Sequence, residues 1–313
     1  MYEPEQCEHT EDERGPALLV VCSTANWLVE EMRVGAGTGL RVVQDYGFAL
    51  PDIDEHVVAA WWAPAEHVAR LAYAGMSLDL CAPGPAWLST VPEDLTGRYI
   101  WAGPLSRVAQ APRSGWAKPA EAKVRGLPSA WWDDVPAFAD QALAAGATAD
   151  SWVQISPARL DLVEEHRCFI SHNRVLTTSP YLLDATRTYE PGMEQDKSLS
   201  HDGAASFARE VVARLGPAQP PAYSLDVGLT RNGDWVVVEA NPAWCSGTYG
   251  CSSAGVVEAV VGSSTTTIAS SASRYGPWAY VPDPYLTGLA RAQPLLKRTP
   301  RWSYDPGRGV VAE

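Results

Sequence analysis

Three oxygen-bearing side chains in the last third of the chain have the types and the spacing to bind a metal ion. Asp226, Glu239 and Asn241 lie in the stretch LDVGLTRNGDWVVVEANP, residues 225–242, which is otherwise apolar enough to be buried. The Asn-Gly dipeptide at 232–233 favours a two-residue type I′ turn, because both central residues of that turn need positive φ. We therefore predict an antiparallel hairpin with this dipeptide at its tip.

The predicted turn fixes which residues of the two strands lie opposite each other. Asp226 lies opposite Glu239 and Ser224 opposite Asn241, all on one face, because side chains alternate along a strand. Like charges directly opposed on a sheet are destabilising, and no Lys or Arg of the hairpin shares this face. We expect either a bound cation or a solvated polar face. Without a cation, removal of one carboxylate should be neutral or slightly stabilising.

The chemistry of this trio favours magnesium over zinc. Carboxylate and amide oxygens are hard ligands, and Mg²⁺ usually keeps several waters and takes further ligands from substrate phosphates. The opposite face of the hairpin is apolar and pairs Val227 with Val238 and Leu229 with Val236. The sequence therefore predicts a magnesium site on the polar face of a hairpin whose other face is apolar.

The whole chain has the composition of a folded globular protein. It has 313 residues, of which 46% are hydrophobic and 19% charged, and a net charge of −13. The length predicts about two domains. The negative charge argues against nucleic acid or an anionic membrane as the main partner, because both need a basic surface. Six cysteines without a C-x-x-C pair, and the lack of a long apolar run, favour a reduced, cytoplasmic chain.

Strands and helices alternate in the first hundred residues, which predicts an α/β domain over residues 1–103. A second α/β unit follows, with a strand at SWVQIS, residues 151–156. The two strand-like runs within residues 161–183 predict a hairpin with a longer turn. The stretch SSTTTIASSAS after Gly262 is typical of a linker.

A Lys-Pro strand end, a short strand, a strand carrying Glu-x-Arg, a helix and the Asp to Glu-x-Asn hairpin follow one another in the chain. In this order they resemble the ATP-grasp superfamily, in particular its clade named for two arginines and one lysine. The stretches WAKPAEAK, SWVQIS, EEHRCFISHNRVLTTSPY and LDVGLTRNGDWVVVEANPAWCSG carry the resemblance, between about residues 100 and 255. It implies an α/β and α+β fold. An N-terminal α/β pre-ATP-grasp-like domain, 1–103, precedes a two-lobed ATP-grasp domain, 104–262, with lobes of about 104–155 and 156–262, and then a linker and tail, 263–313.

The resemblance also implies a nucleotide site. Lys118 matches the lysine that contacts the ATP phosphates, and Lys123 could reach them from the following loop. Gln154 and Ile155 match the hinge whose backbone contacts adenine, and Glu165 matches a position expected to hold the ribose hydroxyls. Members of the superfamily hold two magnesium ions with a trio like the one in the hairpin.

Arg167 is the predicted catalytic arginine, acting with Lys118 on the transferring phosphate or on a substrate carboxylate. A guanidinium binds either group bidentately, and the alternative is that Arg167 merely pairs with Glu165 along the same strand face. The second arginine of the clade is left open among four candidates, Arg113, Arg125, Arg174 and Arg187.

The implied activity is that of an ATP-dependent carboxylate-amine ligase working through an acyl phosphate. The alternatives are a kinase acting on a small-molecule hydroxyl and a nucleotide-binding protein without turnover. The predicted cofactors are ATP and Mg²⁺. The predicted partners are small-molecule carboxylate and amine substrates, with neither nucleic acid nor membrane, and a homodimer is allowed.

Overall fold

The computed structural model of the protein describes residues 18–47, 49–51, 59–76, 78–184, 187–266 and 272–295, and the backbone of two paired strands, Trp302–Asp305 and Gly309–Ala312. Within these ranges no helix is both long and apolar enough to cross a membrane. The mixed α/β and α+β fold predicted from the sequence is confirmed. Three groups of elements build it.

The first group is a small parallel α/β layer. Its elements are β1 (Leu18–Cys22), α1 (Asn26–Ala36), β2 (Arg41–Asp45), β3 (Ala59–Trp62), α2 (Ala65–Tyr73) and β4 (Leu78–Leu80). The strand order β2-β1-β3 places β1, the sequence LLVVC, in the centre, where all five of its residues are buried. Such a continuous apolar run is typical of a parallel strand covered on both faces.

The second group is a four-stranded antiparallel sheet with one helix packed on it. After two short helices, α3 (Trp87–Thr90) and α4 (Glu93–Thr96), it contains β5 (Trp101–Pro104), β6 (Gly115–Pro119), β7 (Ala130–Trp132), α5 (Val135–Ala144) and β8 (Trp152–Ser156). The strand order is β5-β8-β6-β7. Phe138 of α5 is fully buried against the sheet.

The third group is a five-stranded antiparallel sheet. Its elements are β9 (Leu162–Ser171), β10 (Arg174–Leu183), β11 (Arg187–Thr188), α6 (His201–Leu215), β12 (Ala222–Thr230) and β13 (Trp235–Asn241), in the strand order β11-β10-β9-β12-β13. The chain continues through α7 (Ser253–Ser263), β14 (Ser264–Thr266) and α8 (Pro284–Ala292). This sheet and the preceding one flank the cleft described below.

The hairpin of β12 and β13 has the predicted register at its polar end. Asp226 pairs with Glu239, so the opposed carboxylates predicted from the sequence are confirmed. Towards the turn the ladder shifts by one residue. Val227 pairs with Val237, and Val238 is the extra residue of a β-bulge. The predicted pairing of Val227 with Val238 is therefore wrong.

The two hairpin turns differ from the predictions. The carbonyl of Thr230 accepts from the N–H of Gly233, which has a φ of +92°, and the N–H of Thr230 donates to the carbonyl of Asp234. This is the longer loop that ends with a left-handed residue, not a two-residue turn. The tight turn instead joins β9 to β10, where His172 and Asn173 both have positive φ. The longer turn predicted there is also wrong.

The packing does not follow the domain boundaries predicted from the sequence. Before residue 103, α3 and α4 already pack in the core of the five-stranded sheet, through Trp87 and Leu95. Within the predicted linker, β14 pairs with β4 in a separate two-stranded sheet, and in the predicted tail, Leu286 of α8 lies in the core of the four-stranded sheet. Polar composition suggested a linker, but serine and threonine also suit a short strand whose backbone is paired.

Gly35 gives a test of the helix packing. In α1 it faces α7 so closely that an added Cβ would overlap the carbonyl of Ser253 and the side chain of Val257. Gly35→Ala should therefore lower the free energy of unfolding by about 1–3 kcal/mol, the usual cost of overpacking. The helical Gly288 of α8 has open space around its Cβ position. Gly288→Ala is the control and should gain up to about 1 kcal/mol. Urea unfolding curves measure both, and equal effects would contradict the contact.

Candidate active site

The cleft has a volume of about 1120 Å³ and is lined from all three groups of elements. The four-stranded sheet and its loops contribute Lys118 and Lys123, and the five-stranded sheet contributes Arg167, Glu239 and Asn241. Five of the residues predicted to form the site therefore line one cleft. They come from three different strands and one loop, so only the folded chain brings them together.

Lys118 joins the two sheets across the cleft. It lies on β6, and its ammonium group forms an ion pair with the carboxylate of Glu239 on β13. Asn241 donates its amide Nδ2 to the other oxygen of Glu239 at 2.9 Å. Burial would raise the pKa of Glu239, but the charge and hydrogen bond of Lys118 outweigh this and, with Asn241, lower the pKa to about 2. Glu239 is therefore ionised at neutral pH.

Arg167 and Asp226 form a buried, bidentate ion pair between neighbouring strands. Arg167 on β9 donates Nε and Nη2 to the two carboxylate oxygens of Asp226 on β12, at 2.8 and 2.7 Å. Burial disfavours the guanidinium charge, yet the carboxylate of Asp226 raises the pKa of Arg167. The predicted alternative, an Arg167 pair with Glu165, is wrong, because the register places Arg167 beside Asp226. The polar face of the hairpin carries no cation of its own, and β6 and β9 supply the two that balance it.

Two stacked tyrosines lie beside the guanidinium of Arg167. Tyr181 and Tyr249 stack at 5.0 Å between ring centroids, and the Arg167 carbon lies 5.6 and 4.9 Å from the two centroids. The third nitrogen, Nη1, donates to the carbonyl of Gly247 at 3.1 Å. Tyr249 has a φ of +48°, which is uncommon for a bulky residue and costs energy. These contacts hold the loop after β13 against Arg167. Within the described ranges, the other two of its five guanidinium N–H groups have no hydrogen-bond partner.

The oxygens available to a cation belong to Glu239 and Asn241. Both side chains line the cleft, whereas Asp226 is fully buried and accepts from Arg167 with both of its oxygens. Asp226, the third member of the predicted magnesium trio, lies beside these two residues and pairs with Arg167, and its part in binding a metal stays a prediction. Two hard oxygen donors beside the ammonium group of Lys118 fit Mg²⁺, which takes its remaining ligands from water and phosphate.

Two of the residues predicted to contact the nucleotide, Ile155 and Glu165, do not line the cleft. Ile155 has no exposed surface, and β8 pairs with β5 and β6 on both sides through Gln154 and Ile155, so their backbone lies inside the sheet and does not form an open hinge. The side chain of Gln154 does line the cleft. Glu165 lies behind Tyr181, whose hydroxyl donates to it at 2.6 Å, and it does not line the cleft. The predicted ribose contact of Glu165 stays a prediction.

Sequence reasoning missed the arginine that holds the bulge of β13. Arg98, just after α4, donates to the carbonyls of Val237 and Val238 at 3.0 and 2.9 Å. Burial lowers the pKa of Arg98 to about 10, and the carboxylates of Glu239 and Glu165 oppose this shift. Of the four arginines considered from the sequence, Arg125 alone lines the cleft. No motif marked Arg98, because its partners are backbone carbonyls.

Two further parts of the cleft wall were also missed. Glu121 lies in the loop between Lys118 and Lys123, and burial, together with the nearby charge of Asp283, raises its pKa to about 8. In the part of the chain that the structure describes, its carboxylate has no hydrogen bond or ion pair. The helix α8 contributes Tyr285, whose hydroxyl accepts from the N–H of Arg125 at 3.3 Å.

The ion pair between Lys118 and Glu239 reverses one expectation from the sequence. Removing a carboxylate was expected to relieve repulsion, but Glu239→Gln now leaves the ammonium group of Lys118 without its partner. We expect the free energy of unfolding of the metal-free protein to fall by roughly 1–3 kcal/mol. In the Lys118→Met background, the same change should cost less, which gives a measurable coupling energy. Urea unfolding of the four proteins measures it, and a more stable Glu239→Gln variant would contradict the pair.

Solved structures with similar folds are distant in sequence. A RimK domain protein ATP-grasp from Sphaerobacter thermophilus is 14% identical over 78% of this chain and 99% of its own, with a TM-score of 0.41. N5-Carboxyaminoimidazole synthetase from Staphylococcus aureus, complexed with ADP, is 9% identical over 80% of each chain, at 0.43. D-alanyl-alanine synthetase A from Vibrio cholerae is 10% identical over 90% of this chain and 98% of its own, also at 0.43. No curated protein matches the sequence.

The sequence of the chain shows which family it belongs to. Residues 95–259, more than half of the chain, match an ATP-grasp domain family, the second family of the clade named for two arginines and one lysine. The match begins at α4, just before Arg98, and ends within α7, so it includes both sheets that flank the cleft. It also contains Lys118, Arg167 and the polar end of the hairpin. The chain belongs to this clade of ATP-grasp proteins.

Proposed function

We propose that this protein is an ATP-dependent ligase that joins a carboxylate to an amine and releases ADP and phosphate. The observation that supports this most is the convergence of Lys118, Arg167, Glu239 and Asn241 on one cleft. Two cations, one carboxylate and one amide at a common site suit the binding of a triphosphate next to an anionic substrate. Membership of the ATP-grasp family supports ATP as that triphosphate.

The reaction has two steps. An oxygen of the substrate carboxylate attacks the γ-phosphorus of ATP, the bond from that phosphorus to the bridging oxygen breaks, and ADP leaves. The amine nitrogen then attacks the carbonyl carbon of the acyl phosphate, the carbon–oxygen bond breaks, and phosphate leaves as the nitrogen loses a proton. The protein's contribution to phosphoryl transfer is mostly positioning and charge stabilisation.

Lys118 would bind the phosphates as a point charge. Its ammonium group already lies at the boundary of the two sheets, and its pair with Glu239 orients it into the cleft. Arg167 would bind the substrate carboxylate or the transferring phosphate with its two remaining N–H groups, while Asp226 and the two tyrosines fix its plane. A guanidinium held in this way loses little further freedom when it binds a ligand.

Glu239 and Asn241 would hold magnesium when the nucleotide is bound. The metal would neutralise charge on the phosphates. The lowered pKa of Glu239 suits this role, since the carboxylate stays ionised, and a cation can replace the ammonium of Lys118 as its partner. The ammonium group of Lys118 would then be available to the phosphates.

An isotope experiment tests the acyl phosphate. A carboxylate substrate labelled with ¹⁸O in both oxygens should transfer one ¹⁸O to inorganic phosphate, because one of these oxygens attacks the γ-phosphorus. Substrates are found by screening pairs of carboxylic acids and amines for phosphate release that needs both. Phosphate without label would contradict the acyl phosphate. A phosphorylated hydroxyl product without free phosphate would instead indicate a kinase.

Removal of the Lys118 charge should affect turnover more than folding. Lys118→Met should lower kcat/KM by about 10²–10³-fold, the range for loss of one preorganised charge-stabilising group. Lys197, on an exposed turn, gives the matched control Lys197→Met, which should keep the wild-type rate. Steady-state ADP release measures both variants, with thermal melting to show that they are folded. Equal rates for the two variants would remove Lys118 from the phosphate site.

A further inference from the structure

Three side chains with different donor atoms meet in the N-terminal layer, on its side towards α2. Cys22 ends β1, Asp45 ends the neighbouring parallel strand β2, and His67 projects from α2. Their sulfur, oxygen and nitrogen atoms all lie within 4.8 Å of one another. Cys22 and Asp45 are adjacent because the carboxyl ends of parallel strands meet at one edge of the sheet, and they pair directly in the ladder. The proposed reaction uses none of these residues.

The cluster has unsatisfied polar atoms. Oδ2 of Asp45 and Nε2 of His67 are both buried and lie 3.2 Å apart, which is ion-pair distance when the imidazole is protonated, but neither atom makes a hydrogen bond to the described residues. The structure shows no hydrogen bond to the sulfur of Cys22 within the residues it describes. Buried polar atoms are normally paired, and unpaired ones indicate an absent water or ion. Here the two unpaired atoms lie next to the thiol of Cys22.

We propose that Cys22, Asp45 and His67 bind a zinc ion. Sulfur, imidazole nitrogen and carboxylate oxygen are the ligand atoms that zinc takes in proteins. Ligands at zinc bond lengths of roughly 2.1 Å lie about 3.4 Å apart in a tetrahedron, close to the distance already present between His67 and Asp45. A thiolate and a carboxylate would neutralise the 2+ charge at this buried site.

The surroundings support a bound ion. The other oxygen of Asp45, Oδ1, accepts from the N–H of Gly47 at 3.0 Å, which orients Oδ2 towards His67. Such contacts behind the ligands are typical of metal sites. Gly47 has a φ of +76°, and an added Cβ would lie 3.1 Å from the sulfur of Cys22 and 3.4 Å from Nδ1 of His67. Glycine at this position leaves the space beside both groups open.

The proposed site lies behind the loop that follows β13. Cys22 shares a buried cluster with Ala63, Val68 and Trp244, and the N–H of Ala63 donates to the carbonyl of Trp244 at 2.8 Å. An ion would connect the ends of β1 and β2 to α2, next to the segment that carries this loop. The expected role is structural, since the ion would be buried and would hold together three separate elements, with a water as the fourth ligand of the tetrahedron.

Metal binding by the full chain tests the proposal. After treatment with a chelator, the protein should bind one Zn²⁺ per chain and melt at a higher temperature with zinc than without. Substitution with Co²⁺ should give the sulfur-to-cobalt charge-transfer absorption in the near ultraviolet that marks thiolate ligation. Cys22→Ser and His67→Gln should each lose most of the zinc affinity, and Cys22→Ser should also lose the charge-transfer band.

Cys245, which lines the cleft, provides the matched control. Cys245→Ser should keep the cobalt band and the zinc stoichiometry of the wild type. If Cys22→Ser does not fold, the wild-type spectrum still decides, because cobalt bound without a thiolate band excludes Cys22 as a ligand. Failure of the chelated wild type to bind zinc, or a band that persists in Cys22→Ser, would overturn the proposal. Neither result bears on the ligase activity, which is measured by ADP release.

Discussion

The buried pair of Arg167 and Asp226 is the interaction on which the cleft depends. Breaking a buried pair by removing one partner typically costs about 3–5 kcal/mol, because the other charge is left without compensation. Here the pair links β9 to β12, and the same guanidinium holds the carbonyl of Gly247 and lies against Tyr181 and Tyr249. The guanidinium of Arg167 therefore holds β9, β12 and the loop after β13 together. A ligand that binds Arg167 meets a group whose orientation is already set.

A second, more exposed pair connects the five-stranded sheet to the four-stranded one. Lys118 reaches Glu239 from β6. At this point of the cleft, the two sheets contact each other through opposite charges. The arrangement is suited to exchange. A cation could take the place of Lys118 beside Glu239, and a polyphosphate could take the place of Glu239 beside Lys118. Neither charge would then be left without a partner. In the proposed ligase, the resting pair would thus keep both groups ionised and in place until the nucleotide binds.

The N-terminal layer and the C-terminal helix complete the cleft. Trp62 donates its indole N–H to the carbonyl of Ser246, and the indole of Trp244 donates to the carbonyl of Cys81. These contacts hold the loop after β13 from the side opposite Arg167. From the other end of the chain, α8 contributes Tyr285 to the wall. Part of the cleft wall is therefore built from segments outside the family match, namely the N-terminal layer and α8.

By itself, the sequence determined the α/β alternation, the opposed carboxylates and the order of the ATP-grasp elements, because these follow from local periodicity and from short motifs. It placed Lys118, Arg167, Glu239 and Asn241 at one site. Only the tertiary structure decided how their charges are shared. Asp226 is committed to Arg167, and Ile155 lies inside the sheet, because those roles depend on which strands become neighbours. The bulge at Val238 and its contact with Arg98 could not be predicted from the sequence either. A β-bulge has no fixed side-chain signature, and Arg98 lies far from Val238 in the chain.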